Sequence, residues 1–431
     1  MDMNRRRFVS LLGLAGAGAA LAGCVPGATQ SAPSAASIQA ASPADAKGEV
    51  TYWNHFTGED ERRGFGAVTS GYAKNYPQVT LKSESIPNSD FMTKFTTAVQ
   101  SRSVPNSVMV HANRVQDMVA MQGLVDLTDP LSAWSGKSDI ADKILAPFKR
   151  QDRVYAVPSA MFVDWYYYRA DWLQEAGLSA PPATWAEFRQ LAKTMTDPAR
   201  GRHGFALRGG AGGGEHIIKM IRAFNGPLVD ADGKPALKKE AVATALEEYS
   251  APYLVDKSAA LSAPSDGYTQ VFQSFLNGNT GMLMHHTGSL KSVTAALKSG
   301  VQVMTAPMPK AEFETGWIQP LGNGLMTLDG AATSLSWLEY WGSAAPQLDM
   351  FNATGYFPAS TSGQSSPTIT SDPLFAAALK QIERGTTPEY FTGMQAWQDN
   401  SVLVQFQALL VGKASVSQAA DSIVADFNTN F

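Results

Sequence analysis

The chain has 431 residues, 44% of them hydrophobic and 17% charged, with a formal net charge of −4 and one cysteine. A mild acid excess without basic clusters argues against nucleic acid as a partner, and a single cysteine excludes an internal disulfide framework. At about 100–200 residues per domain, the length implies two or more lobes held together by apolar cores.

Residues 1–23 begin with Arg5-Arg6-Arg7 and continue as an apolar, glycine- and alanine-rich run. The run is too short to span a bilayer, and its many glycines and missing polar face make a poor first helix for a cytosolic domain. Residues 1–23 therefore read as an export signal. They resemble a bacterial lipoprotein signal, with Leu21-Ala22-Gly23-Cys24 as the cleavage box and Cys24 as the lipidation site. Arg5-Arg6-Arg7-Phe8 also resembles a twin-arginine signal, with Asn4 where Ser or Thr is usual. Residues 24–47, mostly Ala, Ser, Pro, Gln and Gly, read as a disordered tether. The expected product is an exported, water-soluble body anchored through lipidated Cys24 to the outer face of the cytoplasmic membrane.

The folded part starts with Val50-Thr51-Tyr52-Trp53-Asn54-His55-Phe56, a run rich in β-branched and aromatic residues that predicts a strand. Glu59, Asp60 and Glu61 then suit the first turn of a helix in which Phe65, Val68, Tyr72 and Tyr76 recur at helical spacing until Pro77. A strand at residues 79–82, a helix from Asp90 with Phe91, Phe95 and Ala98 on one face, and a strand at residues 108–110 complete a βαβαβ pattern. Such alternation implies an α/β fold with mainly parallel sheets flanked by helices, and ligands bind beyond the carboxyl ends of the strands. Residues 53–56, 85–88 and 111–114, Asn113 among them, are therefore the positions to watch.

Tyr52-Trp53 on the first strand, the long helix ending in Tyr76-Pro77 and Gly123-Leu124-Val125-Asp126-Leu127-Thr128 resemble the carbohydrate-binding extracellular solute-binding proteins of bacterial ABC importers, the maltose-binding-protein-like family. The resemblance continues through Val154-Tyr155-Ala156-Val157-Pro158, Ala176-Gly177-Leu178, Pro182-Ala183-Thr184-Trp185-Ala186-Glu187-Phe188, Phe275-Leu276-Asn277-Gly278 and Gly355-Tyr356-Phe357-Pro358. It implies a two-lobed, periplasmic-binding-protein-like (Venus-flytrap) fold. The implied lobe 1 covers residues 48–160 with about 318–341; lobe 2 covers about 161–317 with 342–431. The implied function is capture of a mono- or oligosaccharide by hinge closure for delivery to ABC permease subunits, by a monomer with no cofactor, metal or catalytic residues. The chain departs from the family at Met284-His285-His286-Thr287-Gly288-Ser289, which lacks a usual sugar-stacking tryptophan, and at residues 159–164, which are less polar than in many relatives.

A sugar needs flat aromatics for its C–H face and planar polar groups for its hydroxyls. Trp53, Asn54 and His55 supply that mixture after the first strand, and a tryptophan capping the core is the equal alternative. Asp164-Trp165 supplies it just beyond the lobe crossing, where Trp165 has interlobe packing as its alternative. His285 and His286 leave a strand on opposite faces, without the partners a metal needs, so one reads as a ligand donor and the other as structural. Asn323 between two glycines reads as a ligand contact or a hinge turn. Trp397 reads as a stacking aromatic or a helix-packing residue, and Tyr356 joins the candidates from its turn. The glycine-rich residues 209–214 read as a mobile loop at the cleft rim rather than a phosphate cradle, since no Gly-Lys-Ser/Thr ending follows. The rival ligand class is a charged solute such as a sugar phosphate, marked by Arg114, Arg208 or that loop in the cleft. A lipid-anchored glycan-acting enzyme would require two carboxylates converging across a cleft.

Overall fold

The computed structural model describes residues 33–429, Ala231 excepted. The export signal at residues 1–23 and Cys24 lie outside the described residues. Among the described residues, ten strands occur in chain order: β1 Gly48–Asn54, β2 Val79–Ser85, β3 Ser107–His111, β4 Lys149–Arg150, β5 Arg153–Val154, β6 Val157–Arg169, β7 His203–Phe205, β8 Thr280–His286, β9 Val303–Ala306 and β10 Ile318–Leu325. The first three lie side by side as β2-β1-β3, with both pairs parallel. Their crossovers are the helices α1 Glu59–Asn75 and α2 Phe91–Ser101. α1 opens where Gly58 N donates to Glu61 Oε2 at 2.8 Å, and it buries Phe65, Val68 and Tyr72. These meet Tyr52, Trp337 and Trp341 in an aromatic core, with Tyr72 and Trp337 5.0 Å apart edge to face.

β6 organises the molecule. At about 3.3 Å per residue its thirteen residues are long enough to serve two lobes, and all but Phe162 are buried. Residues 157–163 pair with β10, which also pairs with β3; residues 164–169 pair with β8 and β9. These pairings are antiparallel, because the chain leaves the first lobe along β6 and returns along β10. β7 joins β8 in parallel, and the sheet runs β2-β1-β3-β10-β6-β8-β7. β4 and β5 form a small hairpin just before β6. The second lobe is closed by helices such as Trp185–Met195, Gly213–Asn225, Lys239–Leu254 and Val416–Asn428 around Trp185, Phe188, Phe205 and Tyr249. The Thr184-Trp185-Ala186-Glu187 motif is a capping box: Thr184 accepts from Glu187 N, and Glu187 accepts from Thr184 N.

Two expected boundaries move. Helix Ala344–Thr354, assigned from sequence to the second lobe, packs against α1 in the first. A Cβ built on Gly64 would lie 2.8 Å from Met350 Sδ and 2.9 Å from Ala353 Cβ, so only glycine lets the helices approach this closely. The chain stays on the first lobe beyond Trp341, through this helix and on to Ser360, which pairs with Ile140, and Ser362, whose N donates to Asp139 Oδ1 at 2.8 Å. Residues 33–47, expected as tether, run along the first lobe as a strap. Ala35 N donates to Asp126 O at 3.1 Å, Asp126 N to Pro33 O at 2.8 Å and Ala41 N to Ala332 O at 2.8 Å, while Ala35 and Ala46 are fully buried. Composition concealed the strap because backbone groups and small alanine side chains do most of the holding, with Ile38 as its one large apolar contact on the core.

Candidate ligand-binding cleft

A cavity of about 540 Å³ opens between the lobes, lined from both sides. The first wall is made where β2 and β3 end, the carboxyl edge of a parallel sheet. Asn88 and Ser89 follow β2, and His111, Asn113 and Arg114 follow β3. A single 3₁₀ turn, Ala112–Arg114, carries the chain from β3 into the helix Val115–Ala120 and holds these side chains at the edge. His111 Nε2 lies 2.8 Å from His55 Nδ1, so His55 buttresses the wall from behind. Arg114 Nη2 donates to Asn88 O at 3.3 Å, and its guanidinium sits 5.6 Å from the Phe91 ring.

The second wall centres on β6 and the helix Gly213–Asn225. Side chains alternate across a strand, so Phe162 and Asp164 face the cavity while Trp165 faces the core. Lys219 Nζ lies 2.7 Å from Asp164 Oδ2 and 2.5 Å from Glu215 Oε1. Asp164 also accepts from Trp317 N at 2.9 Å, and Glu215 from Gln319 Nε2 at 2.9 Å. Burial pushes the Asp164 carboxyl up to about 6 against the pull of Lys219. Burial acts upward on Glu215 too, but Lys219, His216 and Arg208 outweigh it and hold that carboxyl at about 2. Gln395, Gln398 and Asp399 complete this wall around a π-helical segment, Gln398–Val402, a local irregularity frequent at functional sites.

Five of the six histidines gather here: His55, His111, His216, His285 and His286. Burial lowers His55 and His286 to about 4 and His216 to about 3, and it also depresses His111 and His285, so all five are neutral at pH 7. Arg114 Nη1, His216 Nδ1, His285 Nε2 and His286 Nδ1 are buried without a hydrogen-bond partner, which leaves polar groups of both walls available to a guest. The walls also touch: Asn113 Nδ2 donates to Gln395 Oε1 at 3.4 Å, and Gly393 N to Asp117 Oδ1 at 3.3 Å. Among the described residues, no group of three His, Cys, Asp or Glu is arranged to hold a metal ion, and no helix is long and apolar enough to cross a membrane.

Residues 58–348 match the family of bacterial extracellular solute-binding proteins. The chain belongs to that family. A binding protein of Brucella abortus is 22% identical over 246 residues, 56% of this chain, and the match spans 59% of the relative's length. The mannitol-binding protein of Pseudomonas aeruginosa is 21% identical over 255 residues, 57% of this chain and 58% of its own. Among solved structures, the GacH receptor of Streptomyces glaucescens, studied unliganded and with acarbose, superposes with a TM-score of 0.80 at 21% identity, covering 89% of this chain and 98% of that one. Maltose-bound MalE3 of T. maritima gives 0.78 at 17%, covering 89% and 100%. These likenesses show the two-lobed, periplasmic-binding-protein-like fold.

In this solute-binding protein, three of the residues expected from sequence line the cavity: Asn113, Asp164 and His285. Two stand directly behind it: His55 on His111, and Tyr356 with its ring edge 4.7 Å from Phe162 and its hydroxyl on the Glu61 carboxylate. The other five lie elsewhere. Trp53 is half-buried on the outer face of β1 beneath Lys94, 4.6 Å from its ring. Asn54 is fully buried and accepts from Phe56 N and Ser85 Oγ. Trp165 is enclosed beside Tyr167. Asn323 accepts from the Tyr52 hydroxyl at 2.6 Å inside the first lobe. Trp397 donates to Ile423 O at 3.1 Å and packs on Phe427. Sequence reasoning missed Lys219, Glu215, His216 and the Gln395–Asp399 cluster. Lys219 carried one signal, a cation flanked by the apolar residues Ile217, Ile218, Met220 and Ile221. The glutamines carried none.

Proposed function

We propose that this protein captures a polyhydroxylated small solute, of the sugar or sugar-alcohol class, by closing its two lobes on it, and delivers it to the permease subunits of an ABC importer. It acts by binding rather than by chemistry, as a monomer held to the outer face of the membrane through lipidated Cys24. The observation that carries this reading is a polar cavity lined from both lobes, with unpartnered buried nitrogen atoms on each side. A ligand that bonds to both walls binds the closed form better and so shifts the lobes towards it. The mannitol-binding relative and the acarbose- and maltose-bound neighbours support the solute class. The proposed contacts are Asn113, Asp164 and His285, joined by His111, His216, Gln395 and Gln398. Phe162 and Tyr268 are the aromatic surfaces, in place of the tryptophans expected from sequence. The lobe assignment proposed with it runs from residue 33 to about 163 with about 318–362 for lobe 1, and about 164–317 with the C-terminal helices for lobe 2.

Thermal unfolding of the full chain carrying Cys24→Ser, with mono-, di- and oligosaccharides and sugar alcohols, tests the reading. A cognate solute at one hundred times its Kd stabilises the fold by about 2.7 kcal/mol. A raised Tm with one such class supports capture, whereas turnover of that solute into product would replace capture with catalysis.

A further inference from the structure

Two guanidinium groups line the cleft outside any salt bridge, one from each lobe. Arg114 comes from the first wall and Arg208 from the second. Among the described residues neither forms an ion pair; Arg114 donates to Asn88 O at 3.3 Å and Arg208 Nε to Ala211 O at 2.9 Å. Burial lowers both, Arg114 to about 10, and on Arg208 it outweighs the opposing pull of the Glu215 and Asp399 carboxylates. The carboxylates around the same cavity are already engaged. Lys219 lies between Asp164 and Glu215, Asp117 accepts from Gly393 N, and Asp399 accepts from Gln395 and Gln398.

Arg208 is also held in place by the glycine-rich stretch that sequence reading left as a mobile rim. Gly212 has φ +77°, and a Cβ there would lie 2.0 Å from Arg208 Nη2. The loop folds around the guanidinium, which lies 5.6 Å from the Tyr268 ring. Both guanidiniums line one cavity from opposite lobes, so an anion that bonded to both would favour the closed form.

We propose that Arg114 and Arg208 form an anion-binding pole, and that the solute captured is a polyhydroxylated molecule bearing a phosphate or carboxylate group. Its anionic end is held by the two guanidiniums through charge-assisted hydrogen bonds, and its hydroxyls meet the histidines and glutamines. This proposal rests on the receptor reading above, and the test separates the two. The full chain carrying Cys24→Ser is titrated with glucose, glucose 6-phosphate, gluconate and inorganic phosphate, following Tm and tryptophan fluorescence, and then repeated with Arg114→Gln, Arg208→Gln and Arg208→Lys.

The anionic pole predicts that glucose 6-phosphate or gluconate binds tighter than glucose, and the arm that wins identifies the anion. Arg114→Gln and Arg208→Gln each weaken that binding by about tenfold or more, and Arg208→Lys retains part of it. The unliganded Tm of Arg208→Gln stays level or rises, since a buried charge without an ion pair is gone. A fall in that Tm, with Arg208→Lys restoring it but not changing affinity, makes Arg208 structural and overturns the proposal. Glucose binding as tightly as its anionic forms, unchanged in the Gln variants, overturns the pole and leaves the receptor reading standing. Inorganic phosphate raising the Tm of wild type and both Gln variants equally marks an adventitious ion only, and also overturns it. No response to any of the four solutes overturns the pole; extending that silence across all sugars and sugar alcohols overturns the receptor reading as well.

Discussion

The two walls of the cleft are built by different physics. The first uses the ends of the parallel strands β2 and β3, which flank β1, and its groups are mostly neutral: Asn88, Ser89, Asn113 and the His55–His111 pair. The second buries the ion network Asp164–Lys219–Glu215, drawn from a central strand and a helix that no sequence spacing connects. One wall follows from a local rule about strand ends. The other exists only because β6 crosses between lobes and brings Asp164 beneath the helix Gly213–Asn225.

Breaking the second wall should therefore cost far more stability than breaking the first. Lys219→Met leaves two buried carboxylates without their cation, and chemical denaturation should show a loss of about 3–5 kcal/mol. Adding Asp164→Asn should return part of it; a single variant as stable as wild type would mean that the network is not buried in solution. His111→Ala on the first wall strands His55 Nδ1 and should cost about 1–3 kcal/mol by the same measurement.

The comparison sharpens with pH. The cleft histidines have folded pKa values of about 3 to 4 where resolved, against an ordinary 6.5. Between those limits the unfolded chain binds more protons, so stability rises with pH through this window and is lost on acidification below 6.5. Asp164, raised from 3.8 to about 6, works in the opposite sense, because there the native state holds the extra proton. Glu339, which burial raises to about 7, works in the same sense as Asp164, and five cleft histidines against these two carboxyls make Tm fall between pH 7 and 5. His216→Asn should flatten that slope and Asp164→Asn should steepen it; a Tm that rises on acidification would contradict the burial of the histidines. The smallest effect belongs to Asn113→Ala, which removes one interlobe hydrogen bond. Calorimetric titration should show ligand affinity down by about fivefold, roughly 1 kcal/mol, with the unliganded Tm unchanged.

Much of the fold was legible in the chain. Strands β1 to β3, α1 and α2 follow from periodicity, and Thr184 and Glu187 announce a helix start through capping chemistry. Gly123-Leu124-Val125-Asp126-Leu127-Thr128 reads in the structure as a turn held by Asp126, which accepts from Thr128 N at 2.9 Å and meets Arg153 Nη1 at 3.1 Å. The site was legible only in part. Asn113 and Asp164 were found because strand ends and crossings are local features. The tryptophans misled, because Trp165 and Trp397 have the same composition signature whether they face a sugar or a core.

The sequence by itself determined the alternation of strand and helix and, through the motifs quoted above, a resemblance to two-lobed receptors, since both depend on neighbours in the chain. Only the tertiary structure decided which face each side chain presents and which distant segments share a cavity. Arg114 and Arg208 come to line one cavity, and Asp164 meets Lys219 and Asn113 meets Gln395, because the chain passes back and forth between lobes, and such meetings leave no periodic trace.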